Sequence, residues 1–191
     1  MLLYCSSILY FLTFVVIPIC IGTTIFSEEI IKILFGKTFV STSLSLQILI
    51  WGLLIHSFNN ILGRIIYAID QEKFFIKISL ASMLVNVILN LILIPKYSLY
   101  GASVATIVSF VVSFYLHYYC VSKNVGIKKF FSTEQLRKLF PITIFFLLSC
   151  LIIKHVCLNI FLSVSILVFI YGGLLIIFNV INKKVLLHYL Y

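Results

Sequence analysis

The sequence predicts an all-α integral membrane protein with six transmembrane helices. Three observations carry this. Of its 191 residues, 63% are hydrophobic and only 10% are charged, where a soluble domain has about 45–50% and about 25%. Mean hydropathy is +1.23. The few charges stand between long uncharged runs at 1–27, 38–63, 78–95, 97–122, 139–153 and 155–182. The runs are continuous rather than alternating, which selects helices over a β-barrel. This composition excludes a soluble domain, a disordered tail and a nucleic-acid-binding module. No basic stretch forms a folded polar face, so the net charge of +9 is a topology signal and no nucleic acid partner is expected.

Crossing the hydrocarbon core takes about 20 apolar residues. The runs therefore predict helices near 3–26, 44–67, 76–95, 99–121, 138–157 and 159–181. The first has no basic start and is too long for a signal peptide, so it is a retained span. Pro18 is expected to kink it, because a proline removes one helical hydrogen bond. Pro95 is expected to end the third span. Pro141 is placed in the first turn of the fifth, where its missing donor costs nothing. The fifth run is short and crosses only if Lys154 snorkels to the interface. A shallow hairpin of the fifth and sixth helices is the alternative. Cys5, Cys20, Cys120, Cys150 and Cys157 lie in or beside apolar runs and read as small hydrophobes, without disulfide or metal.

The loops add a short element and an orientation. Residues 27–36 begin with Ser27 as an expected N-cap and place Glu28 and Glu29 in the first turn, the end of a helix dipole that favours acids. Gly36 is the expected stop. This is an amphipathic helix lying on the outer interface. Ten of the fourteen Lys and Arg follow spans two, four and six, which puts those loops and both termini in the cytoplasm. Residues 123–138 form a basic cytoplasmic link that is drawn to anionic lipid or, alternatively, serves a specific partner. The chain divides into a four-helix part at 1–122, this link, and two further helices with a short tail at 139–191.

Polar groups inside spans cost free energy unless paired. Helical spacing places His56, Asn60, Gly63, Arg64 and Tyr67 along one face of the second span. The third span carries Ser79, Ser82, Asn86 and Asn90, with the two Asn one turn apart. Two readings are open. These groups form interhelical hydrogen bonds, worth about 0.6–2 kcal/mol each. Alternatively, His56, Asn60, Arg64, Asn86 and Asn90 line a hydrated cavity for a polar head group, with Arg64 suited to bidentate phosphate binding, although its place near the inner end of the span also fits simple snorkelling. In the fourth span Gly101, Ala105, Ser109 and Ser113 recur at steps of four, a stripe that lets another helix approach closely. No Asp or Glu lies inside a span, and no nucleotide loop, nucleophile elbow or metal-ligand pattern appears. Neither an enzyme nor a cofactor is expected.

Three ordered segments carry a family resemblance: Pro18 to Phe39 (PICIGTTIFSEEIIKILFGKTF), Asn59 to Lys73 (NNILGRIIYAIDQEK) and Asn86 to Thr106 (NVILNLILIPKYSLYGASVAT). Residues 14–122 resemble the C-terminal domain of polysaccharide biosynthesis flippases, in the multidrug/oligosaccharidyl-lipid/polysaccharide exporter superfamily. Ser98 stands where that family often has Gly, and Ser103 where it often has Ala. The resemblance implies one six-helix lobe of a two-lobe exporter that works by alternating access. It implies movement of an undecaprenyl-diphosphate-linked oligosaccharide across a bacterial cytoplasmic membrane for surface polysaccharide such as O-antigen. The partners implied are membrane lipid, the lipid-linked oligosaccharide, and a missing N-terminal lobe or a second copy of the chain. A truncated product or a split gene is the expectation. The alternatives are a multidrug-type exporter lobe of the same fold, or a non-transporting membrane scaffold for a glycosyltransferase complex.

Overall fold

The computed structural model describes residues 2–125, 133–156 and 160–177. Among them every regular element is helical: α1 (Leu2–Ile25), α2 (Ser27–Leu34), a 3-10 segment (Lys37–Thr42), α3 (Ser43–Ala68), α4 (Glu72–Val125), α5 (Thr133–His155) and α6 (Ile160–Ile177). They form two units, residues 1–130 and 131–191.

α4 decides the architecture of the first unit. Its 54 residues would reach about 80 Å at 1.5 Å per residue, far beyond the ~30 Å hydrocarbon core. The helix breaks at Ser98 (φ 52, ψ −128) and folds back into an antiparallel hairpin. Its arms, residues 72–97 and 99–125, are the predicted third and fourth spans. The break falls after Pro95 rather than at it. Proline forbids its own N–H bond and crowds the turn before it, but the chain ahead of it still coils until Ser98 reverses direction.

Gly101 makes the reversal tight. A Cβ there would collide with the Leu93 carbonyl oxygen, so only glycine permits this approach. The stripe continues the contact: Gly101, Ala105, Ser109 and Ser113 are all buried. Against the second arm lies α3, whose Gly52 is pressed on Ile107 and Phe110. α1 packs on the other side of α3, where the Cys20 thiol donates to the Ile50 carbonyl at 3.2 Å.

Short motifs join these helices. α2 is amphipathic, as expected, but Ser27 is its first helical residue and Phe26 occupies the cap. The Ser27 hydroxyl instead accepts a 2.8 Å hydrogen bond from the Gln47 amide, so tertiary pairing claims the side chain that would have capped. Gly36 follows the helix at φ 90 and donates its N–H to Lys32 at 3.1 Å, a left-handed stop. α3 ends with Asp70 at φ 57. The Asp70 N–H reaches the Tyr67 carbonyl and the Gln71 N–H the Ile66 carbonyl, at 3.1 and 3.0 Å. This is a Schellman stop, with aspartate where glycine is usual.

In the second unit α5 and α6 pack on one another. α5 buries Ile142, Phe146, Cys150 and Ile153, and α6 buries Ser163, Leu167 and Leu174. Phe146 and Tyr171 meet edge to face with centroids 5.1 Å apart. α5 starts at Thr133, inside the expected link, because Glu, Gln, Leu, Arg and Lys at 134–138 are good helix formers. Pro141 is therefore interior rather than first-turn. α1 likewise runs through Pro18 as one element. Residues 126–132 and 178–191, covering part of the link and the tail, lie outside the described residues.

Candidate functional site

Two sets of polar side chains lie within the first unit, and the structure treats them differently. On α3, His56, Asn60, Arg64 and Tyr67 are exposed. Their spacing follows the helical repeat, so they form one stripe on a helix whose opposite face is buried by Ile61, Leu62, Ile65 and Ile66. His56 is partly covered: its ring lies tilted on Phe110 with centroids 5.1 Å apart. Asn60 and Arg64 carry an amide and a guanidinium on the open side of the same helix. Gly63, expected on this face, is buried instead. The Phe75 ring is folded over it, 2.8 Å from where a Cβ would stand. Phe75 also meets the Tyr67 ring at 4.6 Å, closing the turn between α3 and α4.

Asn86 and Asn90 belong to the seam between the arms of α4. The Asn90 amide donates to the Asn86 Oδ1 at 2.9 Å. The Asn86 amide reaches the Ser109 hydroxyl at 3.4 Å. Both Asn are half-buried, and these bonds run within the hairpin rather than to α3. Residues expected on one cavity thus fall into an open set (His56, Asn60, Arg64) and a seam set (Asn86, Asn90). The physical reason is the hairpin: it turns the Asn face of the first arm toward the small-residue stripe of the second. Of the two, Asn86 alone bonds across to the other arm, and Asn90 bonds to Asn86 one turn away.

Two buried polar residues lie outside both sets: Asn59, a polar residue of the second span that the sequence does not single out as a site, and His117. Asn59 donates its amide to the Phe110 carbonyl at 3.0 Å, binding α3 to the second arm. His117 is 3% exposed. Its Nδ1 lies 2.8 Å from the Ser113 carbonyl oxygen and 3.2 Å from the Ser113 hydroxyl. Nε2 is buried without a partner, beside Gly63 and Phe75. The signal for His117 was present: the stripe 101, 105, 109, 113 reaches 117 at its next step of four. Asn59 also carries a helical-spacing signal, three residues after His56 and four before Gly63, on the edge of the stripe that packs against the second arm. Among the described residues no cluster of His, Cys, Asp or Glu is fit to hold a metal.

The lipid II flippase MurJ family matches residues 4–173 of the chain. The chain belongs to that family. The solved lipid II flippase MurJ, in an inward closed conformation, superposes with a TM-score of 0.71 over 96% of the chain, at 22% identity. This likeness shows that the helical arrangement is that of the MurJ fold. The chain covers 39% of that flippase.

Two curated relatives carry the similarity further. A probable low-salt glycan biosynthesis flippase, Agl15 of Haloferax volcanii, is 39% identical over 113 residues, which is 59% of the chain and 24% of Agl15. The capsular polysaccharide biosynthesis protein CapF of Staphylococcus aureus is 36% identical over 92 residues, 48% of the chain and 23% of CapF. The chain therefore aligns with about a quarter of the length of these relatives.

Proposed function

We propose that the chain is one lobe of a transporter that turns a lipid-linked oligosaccharide across the cytoplasmic membrane, acting opposite a second lobe. Membership of the MurJ family, the names of Agl15 and CapF, and the membrane-length helices support this reading. The observation that carries it is the open polar stripe of α3. An amide and a guanidinium exposed on a span to acyl chains would cost several kcal/mol. Facing a second lobe, they would border a hydrated passage. Arg64 suits the diphosphate of an undecaprenyl-diphosphate carrier, because its planar fork pairs with two phosphate oxygens at once. His56 and Asn60 would offer hydrogen-bonding groups to the first sugars. Asn86 and Asn90 act one step back, by holding the hairpin against which α3 rests.

The mechanism in this reading is alternating access by rocking of the two lobes. It needs no covalent chemistry, so the protein is a transporter and not an enzyme. The product is a repeat unit for a surface polysaccharide such as capsule or O-antigen of lipopolysaccharide. The Lys/Arg bias favours cytoplasmic termini.

The test is a flipping assay in proteoliposomes holding the complete two-lobe protein and a fluorescent undecaprenyl-diphosphate oligosaccharide. Arg64→Ala should slow flipping at least tenfold, and Arg64→Lys should recover only part, since an ammonium cannot bind bidentately. A cysteine at position 60 should react with a water-soluble maleimide in that assembly. Undiminished flipping by Arg64→Ala, or a position-60 cysteine shielded within lipid, would overturn the reading.

A further inference from the structure

We propose that the open end of the α4 hairpin binds an anionic glycerophospholipid, its phosphate held between Lys77 and Lys123 and an acyl chain laid along the groove beneath them. Away from the Ser98 turn, a groove of about 560 Å³ lies between the two arms. That volume is within the roughly 300–1,000 Å³ usual for small-ligand sites. Its lining is mainly apolar, with Phe74 and Ala81 among the residues from the first arm. Lys77, Tyr119, Lys123 and Asn124 supply its polar groups, and none of the lining residues is acidic. Phe74 and Tyr119 are 50% and 65% exposed, so both rings have faces free for a ligand. The Lys77 ammonium lies 5.6 Å from the centre of the Phe74 ring, which sets the cation against the groove's aromatic wall.

Depth and charge together select the occupant. Lys77 and Lys123 fall at the ends of the third and fourth apolar runs, where hydrocarbon gives way to head groups. Both sit on the side that the Lys/Arg bias assigns to the cytoplasm, the leaflet where anionic lipids attract basic clusters. A free phosphate would leave the apolar lining bare. A soluble acidic peptide would have to enter the membrane to reach it. A phospholipid with an anionic head group satisfies both halves of the groove. None of these residues belongs to the polar stripe of α3, so the site stands whether or not that stripe carries sugar.

The test uses the full chain purified in mild detergent, with binding of phosphatidylglycerol and phosphatidylethanolamine followed by native mass spectrometry. Phosphatidylglycerol should bind in preference. Lys77→Gln with Lys123→Gln should weaken it about twenty-fivefold, at about fivefold per lysine. Lys37→Gln with Lys96→Gln, at the other end of the helices, should leave it unchanged. Ala81→Leu, which narrows the groove and keeps both lysines, should also weaken it. Undiminished phosphatidylglycerol binding by the Lys77/Lys123 variant would overturn the proposal. Equal retention of phosphatidylethanolamine would do the same, as would no effect of Ala81→Leu. Displacement of phosphatidylglycerol by a polyprenyl diphosphate at lower concentration would assign the groove to the transported carrier and overturn it too.

Discussion

Replacing Ser98 by glycine should stabilise this protein. Ser98 has φ 52 and ψ −128, a region open to glycine and costly for any residue with a Cβ. Holding a non-glycine residue in such a region costs about 1–3 kcal/mol. Glycine removes that strain but adds about 0.4–1 kcal/mol of unfolded-state entropy. The side chain is exposed, so little packing is lost. The balance is a gain of about 1 kcal/mol, or about 2–4 °C in melting midpoint for a chain of this size. Cys20, Cys120 and Cys150 are free and buried, so a thiol-reactive fluorophore will report unfolding in detergent. Ser98→Val should lower the midpoint, because a β-branched side chain fits positive φ worst, and Ser98→Ala should stay near wild type. A glycine variant no more stable than wild type, beside an unchanged valine variant, would refute the strain argument.

The same assay separates other contributions. Gly101→Ala should destabilise by about 1–3 kcal/mol, because its Cβ meets the Leu93 carbonyl, backbone that cannot swing aside. Gly63→Ala should cost less than Gly101→Ala, since the group in its way is the edge of the Phe75 ring, which can rotate. A larger loss at 63 than at 101 would contradict this ranking. Asn86→Ala removes bonds to Asn90 and Ser109 and should cost about 0.6–2 kcal/mol. Asn60→Ala should leave the melting midpoint within error, since its side chain is exposed; an equal loss at both positions would argue against the division into open and seam sets.

Much of the bundle is legible in one dimension because membrane thickness imposes a length on every apolar run. The helices near 3–26, 44–67, 76–95 and 99–121 reappear as α1, α3 and the two arms of α4. The amphipathic α2 and its glycine stop also follow from local chemistry, since dipole charge and left-handed backbone are properties of a few neighbouring residues. Periodicity likewise grouped His56, Asn60 and Arg64, because residues three and four apart share a helical face whatever surrounds them.

Direction around the bundle is another matter. A helical face says which residues point the same way, and only neighbouring helices say what they point at. Asn86 and Asn90 looked equivalent to Asn60 in the sequence, yet the hairpin rotates them into a seam with Ser109 while Asn60 stays open. Ser27 looked like a cap until Gln47, twenty residues on, took its hydroxyl. Gly63 lies in the polar stripe by spacing and is buried because Phe75, beyond the turn at Asp70, folds back over it. In each case the deciding partner is distant along the chain, so hydrophobic length and helical period set the elements, and three-dimensional packing alone chose which polar groups were bound and which were left facing outward.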